Sequence, residues 1–178
     1  MTVPNVLTLG RILLTPLLVW LLLDGDLELA LLVFLIAGLT DGLDGMIARV
    51  FNQKSRLGAY LDPLADKILL VSSFILLAHL QVVPVWLVII AVSRDVIILL
   101  GIMTLMFHDI DFAIKPSWVS KATTVFQLVT VLAAMSSSLF RLPTPVYWAL
   151  YLITAALSIA SGVHYLLKGV SLLDARRA

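Results

Sequence analysis

Six long apolar runs, at 7–23, 27–48, 59–80, 83–107, 118–140 and 146–167, take up most of the chain. Leu, Ile, Val and Ala dominate each run, and a helix of about 20 such residues crosses the hydrocarbon core of a bilayer. The strands of a membrane barrel would alternate apolar and polar residues, and these runs do not. The sequence therefore predicts an all-α, polytopic membrane protein with six transmembrane helices, in one domain over residues 1–178. Short linkers make neighbouring helices antiparallel, and an even number of spans puts both termini on one side. Composition agrees, since 61% of the 178 residues are hydrophobic, against about 45–50% in an ordinary soluble domain. A soluble fold of this length has too little interior to hide that much apolar surface.

Charge narrows the classes further. The net charge is +1, and no basic stripe interleaved with aromatics is present, so no nucleic-acid partner is expected. There is no cysteine, which excludes disulfides, thiol catalysis and thiolate metal sites. The opening MTVPNVLTLGRILL has no basic residue ahead of its apolar run and no small-x-small site after it, so a cleaved secretory signal is not expected. Arg11, Arg49, Lys54, Arg56, Lys115, Lys121, Lys168, Arg176 and Arg177 all fall on one side of the six-span layout. The other side has Arg141 and the acidic linker residues Asp24, Asp26 and Glu28. The positive-inside rule places both termini in the cytoplasm, and the bacterial cytoplasmic membrane is the expected location.

The chemistry lies in the acidic residues. Of the 11 in the chain, Asp41, Asp44, Asp62, Asp66 and Asp95 lie within or at the edge of apolar runs. A charge at bilayer depth costs at least about 2.5–3.5 kcal/mol, so it marks function by default. Asp41, Asp44, Gly45 and Ala48 follow i, i+3, i+4, i+7, which is one helix face. Gly58, Asp62 and Asp66 step by four along the next helix, again on one face. The linker between these helices is short, so they form a hairpin whose acidic faces can converge. Four carboxylates cannot all stay ionised side by side without cations. Oxygen ligands without Cys or a nearby His suit Mg²⁺ or Mn²⁺, and two ions fit four carboxylates. Gly45, Ala48 and Gly58 present little side chain, leaving room for a bulky ligand. A structural pairing of one Asp with Arg49 or Lys67 accounts for a single carboxylate, not for four in this pattern. A divalent-cation transporter is the rival of another class, but it would spread its acids through the membrane depth, and these gather towards one face.

The pattern from Asp41 to Asp66, with Asp44, Gly45, Ala48, Arg49, Gly58 and Asp62 at its fixed positions, resembles the signature D-x-x-D-G-x-x-A-R-x(8)-G-x-x-x-D-x-x-x-D of the CDP-alcohol phosphatidyltransferases. The resemblance implies that Asp41, Asp44, Asp62 and Asp66 hold the metal. It implies that Asp66 is also the base that takes the acceptor's hydroxyl proton. Gly45, Ala48, Arg49 and Gly58 would line the CDP-lipid site, and Arg49 offers planar donors suited to phosphate. The implied reaction moves a phosphatidyl group from CDP-diacylglycerol to an alcohol, with CMP leaving. Members of the family are often homodimers, so a homodimer is expected.

The acceptor is read from other positions. The opening PNVLTLGRI, with Asn5, Thr8 and Arg11, resembles the branch that holds the phosphatidylglycerophosphate synthases and the eukaryotic-type cardiolipin synthases. Ser93, Arg94 and Asp95 interrupt the fourth apolar run. An internal Arg–Asp pair is one reading, and an acceptor-phosphate site is the other. The glycerophosphate synthases carry a second Arg further along this helix, and here there is none. One Arg suits the single charge of a phosphodiester better than a dianionic phosphate monoester. The run IKPSWVSKATTVFQLV, with Lys115 and Lys121, also resembles the cardiolipin synthases. Phosphatidylglycerol is therefore the expected acceptor, with Arg94, Lys115, Lys121 and Arg11 as candidate contacts. Glycerol 3-phosphate, inositol phosphate and serine are the alternatives. His79, His108 and His164 show no ligand spacing.

Overall fold

A computed structural model describes the backbone of residues 3–50, 56–107 and 117–175, and the side chains of residues 10, 13–40, 67–101 and 117–169. Six helices follow in order: α1 (Val3–Leu23), α2 (Leu27–Val50), α3 (Arg56–His79), α4 (Val85–Phe107), α5 (Trp118–Met135) and α6 (Thr144–Ala175). No strand occurs among the described residues. Each helix lies on one of the six apolar runs. The largest differences are at the end of the chain. α6 continues past residue 167 to Ala175, and α5 gives way at Ser136–Ser138 to a 3₁₀ turn. Three consecutive serines explain that change, because serine hydroxyls compete for nearby carbonyls. Ser136 donates to the Ala133 carbonyl at 3.1 Å and Ser138 to that of Met135 at 3.4 Å.

Two sharp reversals follow from local chemistry. α1 ends where Gly25 takes φ +80°. The Asp26 N–H reaches the Leu21 carbonyl at 3.0 Å and the Gly25 N–H reaches that of Leu22 at 3.1 Å, which closes the carbonyl end of the helix in a Schellman turn. Asp26 then caps α2, accepting from the Leu29 N–H at 3.1 Å. α3 ends in the same way at Gln81, a non-glycine residue at φ 58°, with Val82 N–H on the Leu77 carbonyl at 2.9 Å. Pro84 follows and opens α4, accepting from the Leu87 N–H at 3.1 Å.

The helices pack as two compact units, Met1–Val83 with Val131–Arg141, and Pro84–Thr130 with Leu142–Ala178. In the first, α1 packs on both α2 and α3. Its buried apolar positions fall at helical spacing: Leu18, Leu21 and Leu22 on α1, Ala30, Val33, Phe34 and Ala37 on α2, and Leu70, Phe74 and Leu77 on α3. In the second, α4 packs on α6, and much of what is buried is polar. Thr123, Gln127 and Thr130 on α5 and Thr154, Ser158 and Ser161 on α6 are all fully buried. Large apolar side chains are instead exposed on all six helices, among them Leu13, Leu39, Ile75, Ile89, Val125 and Leu167. Buried polar residues in the second unit, with large apolar side chains exposed on all six helices, are unlike a water-soluble protein. Among the described residues, Trp118–Ser138 and Thr144–Gly169 are long and apolar enough to cross a membrane, and Leu13–Leu23, Leu27–Thr40 and Lys67–His79 form shorter apolar segments.

Candidate active site

The acidic motif falls on two helices of the first unit. α2 stays helical through residue 50 and α3 is helical from Arg56, so the spacings read from the sequence are helix spacings. Asp41, Asp44, Gly45 and Ala48 occupy one strip of α2, and Gly58, Asp62 and Asp66 one strip of α3. α1 packs against both helices and is the element that holds them in one unit. The side chains of these residues and of Arg49 and Arg11 lie outside the described residues, as does Lys115 altogether. Among the described residues there is no group of three or more His, Cys, Asp or Glu. By their chemistry the four carboxylates are oxygen donors of the kind a hard divalent ion takes.

The second unit contains the described polar cluster. Arg94 sits on α4 with 4% of its surface exposed, and Asp95 beside it has 8%. The Arg94 Nη1 donates to Asp95 Oδ1 at 2.6 Å. Nη2 donates to Ser120 Oγ of α5 at 2.5 Å and to Ser161 Oγ of α6 at 2.8 Å, and Nε donates to the same Ser161 oxygen at 3.1 Å. One guanidinium thereby ties three helices together. A buried arginine beside a single carboxylate would leave most of its five N–H donors unmet, and the two serines take three of them. The remaining N–H, on Nη1, has no partner among the described residues.

Sequence reasoning named Arg94 and Asp95 but missed Ser120 and Ser161. The signal was present as polar residues at 120, 123, 127 and 130, and at 154, 158 and 161, heptad-like spacing that puts each set on one helix face. The stem of Arg94 lies on the α6 backbone at Gly162, where an added Cβ would stand 3.6 Å from Arg94 Cγ. Lys121, another candidate acceptor contact, is exposed and sits over the Trp118 ring at 5.1 Å from its centroid. Ser117 caps that end of α5, accepting from the Ser120 N–H at 3.2 Å. Trp86, Trp118 and Trp148 are exposed near the starts of α4, α5 and α6, and His79 and His164 are exposed as well.

Comparison with known proteins bears on the same residues. The family model for CDP-alcohol phosphatidyltransferase matches residues 1–160. A cardiolipin synthase (CMP-forming) of Rattus norvegicus is 36% identical over 98% of this chain and 65% of its own length. The Homo sapiens protein of the same name is 35% identical over 97% of this chain and 64% of its own length. The chain thus spans a little under two thirds of the length of these two relatives. A CDP-diacylglycerol–glycerol-3-phosphate 3-phosphatidyltransferase of Aquifex aeolicus is 32% identical over 97% of this chain and 98% of its own length. With the motif of 41–66 inside the matched region and full-length similarity to the Aquifex protein, the chain belongs to the CDP-alcohol phosphatidyltransferase family.

Proposed function

We propose that the chain transfers a phosphatidyl group from CDP-diacylglycerol to phosphatidylglycerol, giving cardiolipin and CMP. The observation that carries this reading is Arg94. It is the one buried arginine among the described residues, its charge is partly offset by Asp95 and most of its donors are engaged, so it offers an acceptor phosphate little more than one N–H. That suits a phosphodiester better than a dianionic phosphate monoester. The names of the rat and human relatives support the same acceptor. The name of the Aquifex relative, which matches over its full length, favours a second reading with glycerol 3-phosphate as acceptor.

In the reaction, a hydroxyl oxygen of phosphatidylglycerol attacks the phosphorus that bears the diacylglycerol. The bond from that phosphorus to the CMP oxygen breaks, and CMP leaves. Asp66 takes the hydroxyl proton. Asp41, Asp44, Asp62 and Asp66 hold divalent metal, Mg²⁺ or Mn²⁺, as two ions, and Gly45, Ala48, Arg49 and Gly58 receive the CDP moiety. The family is in general divalent-metal dependent, and such an ion supplies charge neutralisation at the pyrophosphate. Arg94 takes the acceptor phosphate, with Lys115, Lys121 and Arg11 as further contacts. The whole chain spans a bacterial cytoplasmic membrane six times with both termini in the cytoplasm, and works as a homodimer.

Purified protein in detergent, given CDP-diacylglycerol and Mg²⁺ or Mn²⁺, is offered phosphatidylglycerol and glycerol 3-phosphate in separate reactions. CMP release with phosphatidylglycerol alone is expected. Release with glycerol 3-phosphate alone replaces the first reading with the second.

A further inference from the structure

The facing surfaces of α5 and α6 form a polar seam with a gap in its hydrogen bonding. At one level Thr123 Oγ1 lies 2.7 Å from the Val119 carbonyl of its own helix and 3.0 Å from the Leu157 carbonyl of α6, which share its one proton. At another, Thr130 Oγ1 and Thr154 Oγ1 lie 2.8 Å apart, and Thr154 Oγ1 also approaches the Phe126 carbonyl at 3.4 Å. Gln127 lies between Thr123 and Thr130 on the α5 face, and Ser158 between Thr154 and Ser161 on the α6 face. Both residues are fully buried. The Gln127 Nε2 and Oε1 and the Ser158 Oγ have no hydrogen-bond partner among the described residues.

The Ser158 hydroxyl is the more informative of the two. A buried Ser or Thr on a helix can always turn its hydroxyl onto the carbonyl four residues back. Ser73 does so onto Leu69 at 2.8 Å, Thr123 onto Val119 at 2.7 Å and Thr130 onto Phe126 at 2.7 Å. Ser158 does not. A hydroxyl that forgoes this local acceptor, in the same seam as an amide with neither end satisfied and bracketed with it by the Thr123–Leu157 and Thr130–Thr154 contacts, points to a shared third partner. Buried amides and hydroxyls are otherwise almost always paired.

We propose that the α5–α6 seam is a hydration site, with ordered water bridging Gln127 and Ser158. Water supplies what the two side chains lack: an acceptor for the amide N–H groups, a donor for the amide oxygen, and a partner of either sense for the hydroxyl. A buried water typically makes about three such bonds, and these two side chains with the seam carbonyls provide that number. The bridged seam fills the gap between the Thr123–Leu157 and Thr130–Thr154 contacts. The inference rests on unit-internal geometry and is independent of which alcohol the enzyme accepts.

Two measurements test it. A crystal structure of the protein in lipid at about 2 Å should show a water-sized peak within hydrogen-bond distance of both Gln127 and Ser158. A direct Gln127–Ser158 hydrogen bond, an empty seam, or density continuous with a lipid overturns the proposal. Thermal unfolding of Gln127→Met, Ser158→Ala and the double variant gives the second readout. With a shared water, each single change strands the other partner and lowers Tm by about 2–4 °C. The double change then lowers it by less than the sum. In a dry seam, each single change removes an unsatisfied polar group and raises Tm, which sinks the idea even if the crystals fail.

Discussion

At the scale of single residues, the candidate site divides into what spacing can encode and what only packing can. The positions of Asp41, Asp44, Asp62 and Asp66 were legible because helix periodicity turns a linear interval into a shared face, and both stretches are helical. The surroundings of Arg94 were not legible. Ser120 and Ser161 stand 26 and 67 residues away from it in sequence, and no local rule links them. The carboxylates give the first prediction. Asp41→Asn, Asp44→Asn and Asp62→Asn should each cut CMP release by orders of magnitude, with weakened metal binding in titrations, and EDTA should abolish wild-type activity. Full turnover in EDTA removes the metal reading. Asp66→Asn should spare CDP-lipid binding while slowing turnover by roughly 10²–10⁴-fold, the usual loss for a general base, and by more if metal is lost with it.

Arg94 makes a sharper residue-scale case, because its structural and functional roles predict different things. Its ion pair and its two contacts with Ser161 are buried and its contact with Ser120 is half-buried, and Arg94→Ala takes the cation from beside a buried Asp95. That should destabilise the protein by about 3–5 kcal/mol, so the informative variant is Arg94→Lys. A lysine keeps the charge but cannot serve Asp95, Ser120 and Ser161 with one fork. It should raise the acceptor KM by about tenfold or more, while the CDP-diacylglycerol KM stays within about twofold. Equal rises in both constants would leave Arg94 with a purely structural role.

At the scale of elements, helix existence was readable and helix endings were only partly so. Gly25 after an apolar run is a recognisable stop signal. Gln81 is not, because glutamine has no preference for the left-handed region it occupies at φ 58°. The two positions therefore predict opposite outcomes for one kind of change. Gly25→Ala places a Cβ in that region and should lower stability by about 1–2 kcal/mol. Gln81→Gly relieves the same strain and should gain a few tenths to about 1 kcal/mol, after the added freedom of the unfolded chain is counted. Thermal unfolding in detergent, at about 2–4 °C per kcal/mol for a chain of this size, reads both. The contact of α6 with Arg94 adds a graded test. Gly162→Ala meets Arg94 Cγ at an ordinary 3.6 Å and should be tolerated, while Gly162→Leu should displace the guanidinium and copy Arg94→Lys.

At the scale of the whole molecule, the distribution of polarity is what a lipid environment would favour. In the second unit six fully buried hydroxyl and amide residues face inward. Large apolar side chains, among them Leu13 at 69% and Leu167 at 68%, face outward. In water such an exterior would drive aggregation, whereas in lipid it costs nothing, and interior hydroxyls then hold helices together where the hydrophobic effect does not. Two described helices are long and apolar enough to cross a membrane, and the proposed six-span topology draws beyond them on the apolar runs and the basic residues. In that proposal Arg49, Lys54, Arg56, Lys115, Lys121 and Lys168 would belong to one side, and Arg141 with Asp24, Asp26 and Glu28 to the other. Single cysteines are the natural probe in a chain that has none. Cysteine placed at Lys54 or Arg177 should resist a membrane-impermeant maleimide in intact cells and react after permeabilisation. Cysteine placed at Gly25 or Arg141 should react in intact cells. Labelling of Lys54→Cys from outside would invert the topology and put the carboxylate helices on the wrong face for a cytoplasmic nucleotide product. Equal labelling of both sets would mean that the chain does not hold one orientation.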